Sequence, residues 1–301
     1  MSSTRHDANQ INRKVVYAIL ALALGLVAAV LIGARVMFTQ VAQQPVALPQ
    51  LPSPQADSEA CATFVQALPD TVAGFKRADL AEPAPAGAAA WQRSSTERVT
   101  LRCGVDVPMQ YNAYSATEVV GGAEWLRVDD PASDMTTWFT VDRAPVVAVT
   151  SEASLNAVDD IDVSSLAQAD VAPNPAPLAQ LDSAPTDACG QLLDNAPQEL
   201  TQGFMLFDAP VTPNTLVWTK AGSDPVVLRC GVTPPESYAP GAGLVQINDI
   251  PWFEDVETGA FYALGRATDV AVSMPLTGGN DIITALTELI AREVPSSQPA
   301  Q

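Results

Sequence analysis

The chain carries one long motif twice, and this internal repeat limits the folds that it can adopt. The pentapeptide Leu101-Arg102-Cys103-Gly104-Val105 returns as Leu228-Arg229-Cys230-Gly231-Val232. Residues around it recur at the same offset: Trp91 and Trp218, Pro108 and Pro235, Tyr111 and Tyr238, and Trp125 and Trp252. Each copy is about 110 residues long, a usual size for one domain. We therefore predict two tandem domains of one fold, at residues 58–168 and 186–294.

An apolar segment near the N-terminus predicts a membrane helix. Val15–Ala34 carries no charge, and it spans roughly 30 Å as a helix, the thickness of the bilayer hydrocarbon. The tail before it is basic, so we expect residues 1–14 to stay in the cytoplasm. A transmembrane helix at residues 15–35 then places the rest of this single-pass protein outside the cell membrane. A cleaved signal peptide is the alternative, although its apolar core is usually only about 7–15 residues long.

Three segments rich in proline, alanine and glutamine are predicted to lie outside the domains. Residues 36–57 have the composition of an extended stalk. Residues 169–185 separate the two copies and are interpreted as a Pro/Ala linker. Residues 295–301 are interpreted as a disordered tail.

The four cysteines allow three pairings, and the duplication favours one of them. Each copy holds one early and one central cysteine, so we predict the disulfides Cys61–Cys103 and Cys189–Cys230. An exported chain meets an oxidising environment, and a bond closing a loop of this size stabilises its domain by about 3–5 kcal/mol. A zinc site would need close Cys-x-x-Cys pairs, which the sequence lacks. We expect no metal and no cofactor.

Apolar periodicity predicts what each disulfide joins. Apolar residues at helical spacing follow each early cysteine and indicate a short opening helix, capped by Ser58 in the first copy and by Thr186 or Asp187 in the second. Apolar residues around each central cysteine alternate with a period of two, which indicates a strand. The disulfide should therefore join the inner face of the helix to the inner face of the strand. The arginine beside the cysteine should then point to the opposite face of the sheet.

The remaining patterns predict an antiparallel sheet and a closing helix in each copy. Strands are predicted at Glu118–Val128, Thr136–Asp142 and Pro145–Thr150, and at Leu244–Glu254, Ala260–Leu264 and Asp269–Met274. An apolar stripe indicates a closing helix in the second copy (Ile282, Leu286, Leu289, Ile290), and a weaker one covers Ser154–Gln168 in the first. The predicted class is α+β: after one N-terminal transmembrane helix, each of two tandem repeats is a small antiparallel sheet with helices packed on one face.

These features resemble an uncharacterised actinobacterial family of exported or membrane-anchored proteins with an Arg-Cys-Gly motif. The shared features are an early cysteine in an alanine-rich helix, the Leu-Arg-Cys-Gly-Val strand and the following Trp and Arg strands. The resemblance covers residues 58–168 and 186–293. Members usually carry one such domain, so the tandem arrangement departs from the pattern. The resemblance implies a place in the cell envelope and supplies no catalytic residue.

The sequence offers little for catalysis outside the membrane. The only histidine, His6, lies in the expected cytoplasmic tail, which excludes a Ser-His-Asp triad, a Cys-His pair and a histidine-bound metal from the external part. The best candidate site residues are arginines that recur in both copies: Arg102 and Arg229, and Arg143 and Arg266. An arginine on a strand can bind a carboxylate or phosphate ligand, or can pair with an Asp or Glu of the chain. We expect structural ion pairs.

Charge limits the partners that the chain can bind. The sequence has 34 acidic and 15 basic residues, a net charge of −19, which repels nucleic acid and anionic lipid and favours a basic envelope protein or a cation. Carboxylates cluster at Asp129-Asp130, Asp159-Asp160-Asp162 and Glu254-Asp255-Glu257, where we expect a solvated acidic surface. We therefore expect a non-catalytic binding or assembly module of the bacterial cell envelope. The alternative is a carboxylate-dependent enzyme that acts on an envelope glycan.

Overall fold

The computed structural model describes residues 13–41, 44–239, 241–275 and 279–297. Helix α1, Arg13–Val41, opens the described chain. Its part Lys14–Arg35 is long and apolar enough to cross a membrane and is not buried against the rest of the protein. A signal sequence near an N-terminus meets the same description. The first 12 residues of the expected cytoplasmic tail lie outside the described part of the chain.

The first repeat is an eight-stranded antiparallel sheet that follows a short helix. The strands lie in the order β1-β2-β3-β4-β9-β7-β6-β5, and β8 pairs separately with β10. The elements are α2 Glu59–Ala67, β1 Thr71–Val72, β2 Phe75–Ala78, β3 Ala88–Gln92, β4 Arg98–Cys103, β5 Thr117–Val120, β6 Ala123–Asp129, β7 Met135–Thr140, β8 Arg143–Ala144, β9 Val147–Glu152, a 3-10 helix Ala157–Asp160 and β10 Ala167–Gln168.

The second repeat has the same strand order and adds a long closing helix. Its seven strands lie in the order β11-β12-β13-β17-β16-β15-β14. The elements are α3 Asp187–Asp194, β11 Met205–Leu206, β12 Thr215–Thr219, β13 Val226–Cys230, β14 Val245–Ile247, β15 Ile250–Asp255, β16 Ala260–Ala263, β17 Val270–Ser273 and α4 Gly279–Glu293. The predicted α+β class and the duplicated fold are confirmed.

Each opening helix packs on the inner face of its sheet and is joined to it by a disulfide. The hydroxyls of Ser58 and Thr186 accept hydrogen bonds from amides one turn into the helices and cap them. The bonds Cys61–Cys103 and Cys189–Cys230 form as predicted, with Cα atoms 5.5 and 5.7 Å apart. All four repeated tryptophans are buried in these inner cores (Trp91, Trp125, Trp218, Trp252). They fill the interior and do not form an aromatic binding surface.

Two predicted strands are hairpins in the structure. The segment Glu118–Val128 divides into β5 and β6, and Leu244–Glu254 divides into β14 and β15. Gly121 and Gly122 adopt positive φ between the first two strands, and Asn248 does so between the second two. Because such φ values suit tight hairpin turns, the chain reverses where the apolar pattern continues without a break.

The segments that close the two repeats differ, because only the second is a long helix. In the second repeat the predicted stripe is buried on α4, as expected. The prediction of a helix over Ser154–Gln168 is wrong except for the 3-10 helix at Ala157–Asp160. Aspartates interrupt this segment, and one of them, Asp160, accepts a hydrogen bond from the Ala73 amide at 2.7 Å. Apolar residues between the aspartates are buried in the core of the first repeat (Ala157, Val158, Ile161, Val163, Leu166).

The proline-rich segment before the first repeat is not a free stalk. Helix α1 continues to Val41, and residues 44–57 lie against the first repeat; we call them the first strap. Val46 is only 3% exposed. Its N–H donates to the carbonyl of Asp79 at 2.8 Å, and its carbonyl accepts from the N–H of Ala81 at 3.0 Å. Backbone pairing and burial therefore hold this segment on the sheet.

The other two segments are also ordered in part. Residues 174–185, here called the second strap, belong to the predicted linker and bury Leu178 against the second repeat. The described start of the predicted tail, residues 295–297, pairs with Gly265–Ala267 through two backbone hydrogen bonds of 2.8 and 3.0 Å. In the first repeat, β10 pairs with β8 at the corresponding place. The repeat therefore extends further than its apolar pattern indicates.

The two repeats are in direct contact. The amide of Asp129, at the end of β6, donates to the carbonyl of Gly222 in the β12–β13 turn at 2.9 Å. The hydroxyls of Tyr114 and Thr212 lie 2.8 Å apart. Tyr114 also joins an apolar cluster on the outer face of the second sheet, together with Leu178 of the second strap. Hydrogen bonds and apolar contacts thus connect the repeats.

Replacing Gly222 should lower the stability of the fold by more than the backbone strain of its positive φ, because Gly222 lies in this contact. A Cβ atom at Gly222 would overlap the carboxylate of Asp129, whereas a Cβ atom at Gly203 would meet nothing, and both glycines have φ of +81°. Gly203→Ala should cost roughly 1 kcal/mol for the backbone conformation. Gly222→Ala should cost about 1 kcal/mol more, because the Asp129 carboxylate must turn away and lose its hydrogen bonds to Arg127 and Thr136. Urea unfolding followed by tryptophan fluorescence measures both, and equal midpoints would contradict the interface.

Candidate functional site

The Arg-Cys-Gly motif of the first repeat contacts the first strap. Cys103 forms the disulfide to α2, the helix that directly follows the strap. The carbonyl of Gly104 accepts from the amide of Gln55 at 3.1 Å, and a Cβ atom at Gly104 would overlap the Gln55 backbone. The guanidinium of Arg102 donates to the carbonyl of Pro49 at 2.6 Å. The three residues together fasten the incoming chain to the sheet, and we call this arrangement the strap clamp.

The second repeat builds the cysteine and glycine parts of this clamp around the second strap. Cys230 forms the disulfide to α3. The carbonyl of Gly231 accepts from the amide of Ala184 at 2.9 Å, and a Cβ atom at Gly231 would overlap the carbonyl of Ala184. The role of the glycine was not predicted from the sequence. Its recurrence directly after a strand was the signal that a backbone passes close by.

Arg143 and Arg266 have equivalent structural roles, as expected. Arg143 donates to the carbonyl of Gly122 at 2.8 Å and pairs with Asp142. Arg266 donates to the carboxylate of Asp249 at 2.7 Å. Gly122 and Asp249 occupy the same place in the two hairpins, just before β6 and β15. Both buried arginines therefore hold a hairpin turn, and only the source of the carboxylate differs.

The expectation of ion pairs is wrong for Arg102 and Arg229. Arg102 bonds to a backbone carbonyl, and burial lowers its pKa. Arg229 is only 7% exposed, and its buried Nε makes no hydrogen bond within the described ranges. The straps explain the difference, because the first is extended at Pro49 whereas the second makes successive turns around Leu178. Arg229 thus remains buried without a counter-charge from the described chain.

The acidic clusters mostly stabilise turns. Asp130 and Asp162 accept hydrogen bonds from residues that follow them closely, and these bonds hold their pKa values below the ordinary value. Asp255 is buried, and hydrogen bonds from Thr258 and Ser237 hold its pKa low in the same way. Among the residues that the structure describes, no group of three acidic, Cys or His side chains could hold a metal ion. The expectation of a solvated acidic surface is therefore only partly correct, because Asp255 is buried.

A small cleft of about 180 Å³ lies where the repeats meet. It is lined by the end of β6 and by the β12–β13 turn. Arg127 pairs with Asp129 at 2.8 Å, and Asp129 also accepts from the hydroxyl of Thr136. Asp224 lines the cleft as well, and burial raises its pKa. The single cation in the lining is therefore already neutralised by its neighbour.

A long apolar helix followed by two disulfide-bonded α+β repeats, each fastened to the chain segment before it, defines a duplicated α+β protein with an apolar N-terminal helix. One family model, described as "Protein of unknown function (DUF3515)", matches residues 20–169 and again residues 161–299. The chain therefore belongs to this family and carries its domain twice. No curated protein and no solved structure matches the chain.

The strap clamp predicts unequal effects at two glycines of the first repeat. Gly104→Ala would push the first strap away from β4, whereas a Cβ atom at Gly121 would meet nothing. Both glycines have positive φ, so both variants should lose roughly 1 kcal/mol through backbone strain. Gly104→Ala should lose about 1–3 kcal/mol more because it displaces backbone. Limited proteolysis should then cut it within residues 44–57, and leave Gly121→Ala intact there; resistance of both variants would contradict the clamp.

The Arg266–Asp249 pair predicts a pH-dependent effect. The hydrogen bond from Arg266 holds the pKa of Asp249 below its ordinary value. The pair therefore stabilises the fold at pH values above the ordinary pKa of an aspartate. The contribution is lost as the pH falls from about 4 through the lowered pKa of the folded state. Asp249→Asn should therefore lower the urea midpoint at pH 7, and the difference should vanish in acid.

A matched control is Glu97→Gln, which removes the acid of the ion pair with Arg93, where both side chains are exposed. Such exposed pairs contribute little to stability, so its effect at pH 7 should be smaller. A pH-independent effect of Asp249→Asn would show that the charge of Asp249 is irrelevant to stability.

Proposed function

We propose that the chain is a single-pass membrane-anchored module of the bacterial cell envelope, with its N-terminus in the cytoplasm and both repeats outside. Its role in this proposal is binding or assembly, without catalysis. The observation that supports this proposal is the short connection between the apolar helix and the first repeat. Helix α1 ends at Val41 and the buried part of the first strap begins at Val46. At about 3.5 Å per residue the chain between them reaches at most roughly 18 Å.

This short tether supports a position close to the membrane. A free stalk would let the repeats sample a wide volume, whereas the strap clamp fastens the chain to β4 shortly after the helix. The disulfides support the external side, because such bonds persist in oxidising compartments and are rare in the cytosol. The acidic charge of the repeats disfavours contact with anionic lipid. A basic envelope protein is therefore the partner that fits best, with cations as the lesser alternative.

The placement of the repeated polar residues supports a role without catalysis. The cysteines are bonded, and Arg102, Arg143 and Arg266 hold a strap or a turn. These positions build the fold itself and recur for that reason. A duplicated rigid block on a short tether is suited to hold a partner at the membrane.

The carboxylate-dependent enzyme remains the second candidate because of the cleft between the repeats. Asp129 and Asp224 both line it, and Asp224 has the raised pKa that a general acid requires. Glycosidases place two such groups about 5–10 Å apart. Asp129, however, already accepts hydrogen bonds from Arg127 and Thr136. Loss of a glycan-cleaving activity in Asp224→Asn, with unchanged stability, would favour the enzyme.

Membrane fractionation tests the anchored topology. The full chain should stay in the membrane pellet after alkaline washing, and a reporter active only outside the cytoplasm should work when fused to the C-terminus. Leu24→Arg with Val27→Arg should release the chain, since each charge costs about 2.5–3.5 kcal/mol at the centre of a membrane helix. Met109→Arg with Val256→Arg is the matched control, because both residues are exposed on the repeats.

A soluble product that begins between residues 35 and 50 would show that the apolar helix is a cleaved signal sequence. In-cell crosslinking from the exposed position Val256 then tests the binding role. A crosslink to a basic envelope protein supports it, and the absence of any crosslinked protein from Val256 and from Met109 contradicts it.

A further inference from the structure

The cleft between the two repeats is lined by polar side chains that are available to a ligand. Gln110 comes from the loop between β4 and β5 of the first repeat, whereas Ser223 and Asp224 come from the β12–β13 turn of the second. None of these three side chains makes a hydrogen bond or ion pair with the part of the chain that the structure describes. Both repeats therefore contribute unengaged hydrogen-bonding groups to one cleft.

The cleft carries one negative charge that nothing in the described chain neutralises. Arg127, the cation in its lining, donates to Asp129 at 2.8 Å, and Asp129 also accepts from the hydroxyl of Thr136. Asp224 has no such partner. Although Asp224 is exposed to solvent, partial burial raises its pKa, and a nearby cation stabilises a carboxylate of this kind. The cleft is therefore suited to a positively charged group.

The rest of the lining is largely apolar. Leu126 and Val128 lie on β6, Pro131 follows that strand, and Pro275 follows β17 of the second repeat. The cleft has a volume of about 180 Å³, and about 10–15 Å³ suffices for one water molecule, so it is larger than a simple ion requires. A carboxylate beside apolar walls matches a long basic side chain, which has an apolar stem and a charged head.

We propose that this cleft binds an arginine side chain of the partner. The guanidinium donates two parallel hydrogen bonds to the carboxylate of Asp224. Its remaining N–H groups find acceptors in the amide oxygen of Gln110 and the hydroxyl of Ser223, and its stem lies on the apolar walls. Arginine fits better than lysine because its head carries five donors in one plane and is more weakly hydrated.

The site exists only because the chain carries two repeats in contact. Gln110 and Leu126 belong to the first repeat and Asp224 belongs to the second, and the amide of Asp129 joins the repeats beside the cleft by donating to the carbonyl of Gly222. One repeat alone would lack half of the lining. The site deepens the proposed function and rests on it, because it assigns the basic partner to a particular place on the molecule.

Butylguanidinium is a suitable probe because it reproduces the head and the stem of arginine. Binding to the full chain, in nanodiscs of zwitterionic lipid, is measured by saturation-transfer NMR and by the thermal unfolding midpoint. Butylguanidinium should bind with a dissociation constant on the order of 1–10 mM and raise the midpoint. Butylurea, which has the same shape without the charge, should do neither. Methylguanidinium, which lacks the stem, should bind at least roughly 3-fold more weakly.

Two variants locate the binding. Asp224→Asn should weaken butylguanidinium binding at least about 10-fold, because the charge that receives the guanidinium is lost, and the chain should stay folded because Asp224 is exposed. Asp208→Asn makes the same change at an exposed position outside the cleft and should leave binding unchanged. Equal binding in Asp224→Asn and wild type, or equal signals from butylguanidinium and butylurea, would overturn the proposal.

Crosslinking in cells separates this site from the proposed function. Met109 is exposed next to Gln110, so a crosslinker placed there reports on a partner at the cleft. Asp224→Asn should lose most of the crosslink to a basic protein, and Asp208→Asn should keep it. Equal crosslinking in both variants would overturn the cleft as the place of the partner. Absence of any crosslink in the wild type would count against the proposed binding role, whereas the butylguanidinium measurement decides the cleft independently.

Discussion

The contact between each central strand and the chain that enters the repeat is the interaction on which the rest of the structure depends. In both copies a glycine without a Cβ atom lets the strap lie on the strand, and the neighbouring cysteine bonds to the helix that follows the strap. Strap, helix and strand are thereby fixed together within a few residues. This explains physically why Cys-Gly recurs unchanged. The arginine before it bonds to a strap carbonyl in the first copy, whereas in the second copy its buried Nε has no hydrogen bond among the described residues.

The two repeats share one strand order but differ on the outer faces of their sheets. The first strap comes from the apolar helix α1, whereas the second strap comes from the first repeat and helps to join the repeats. Because the two straps enter from different parts of the chain, the repeats differ in small ways. The second strap turns around Leu178, the carbonyl that Arg102 uses has no equivalent bond at Arg229, and a tyrosine replaces Phe139. Divergence between the repeats is thus visible on the outer faces of the two sheets.

Much of the fold was predictable because its signals are local or repeated. The disulfides, the opening helices, the second closing helix and the α+β class follow from spacing and periodicity. Each hairpin was predicted as a single strand because the residues on both sides of the paired glycines and of Asn248 stay apolar, whereas the turn depends on positive φ angles. Proline-rich composition also looks the same whether a segment is free or packed, so the straps were interpreted as a stalk and a linker. Of the four candidate arginines, two form the expected ion pairs, while the partners of Arg102 and Arg229 depend on where the straps pass, which local patterns do not contain.

Hydrogen exchange at the straps of the intact, oxidised protein tests the central claim most directly. The amides of Gln55 and Ala184 donate to the glycine carbonyls of the two clamps, so they should exchange as slowly as amides in strands β4 and β13. Reduction of the disulfides should speed exchange at both amides because it releases the helices that follow the straps. Rapid exchange of Gln55 and Ala184 in the oxidised protein, at the rate of an exposed chain, would contradict the account.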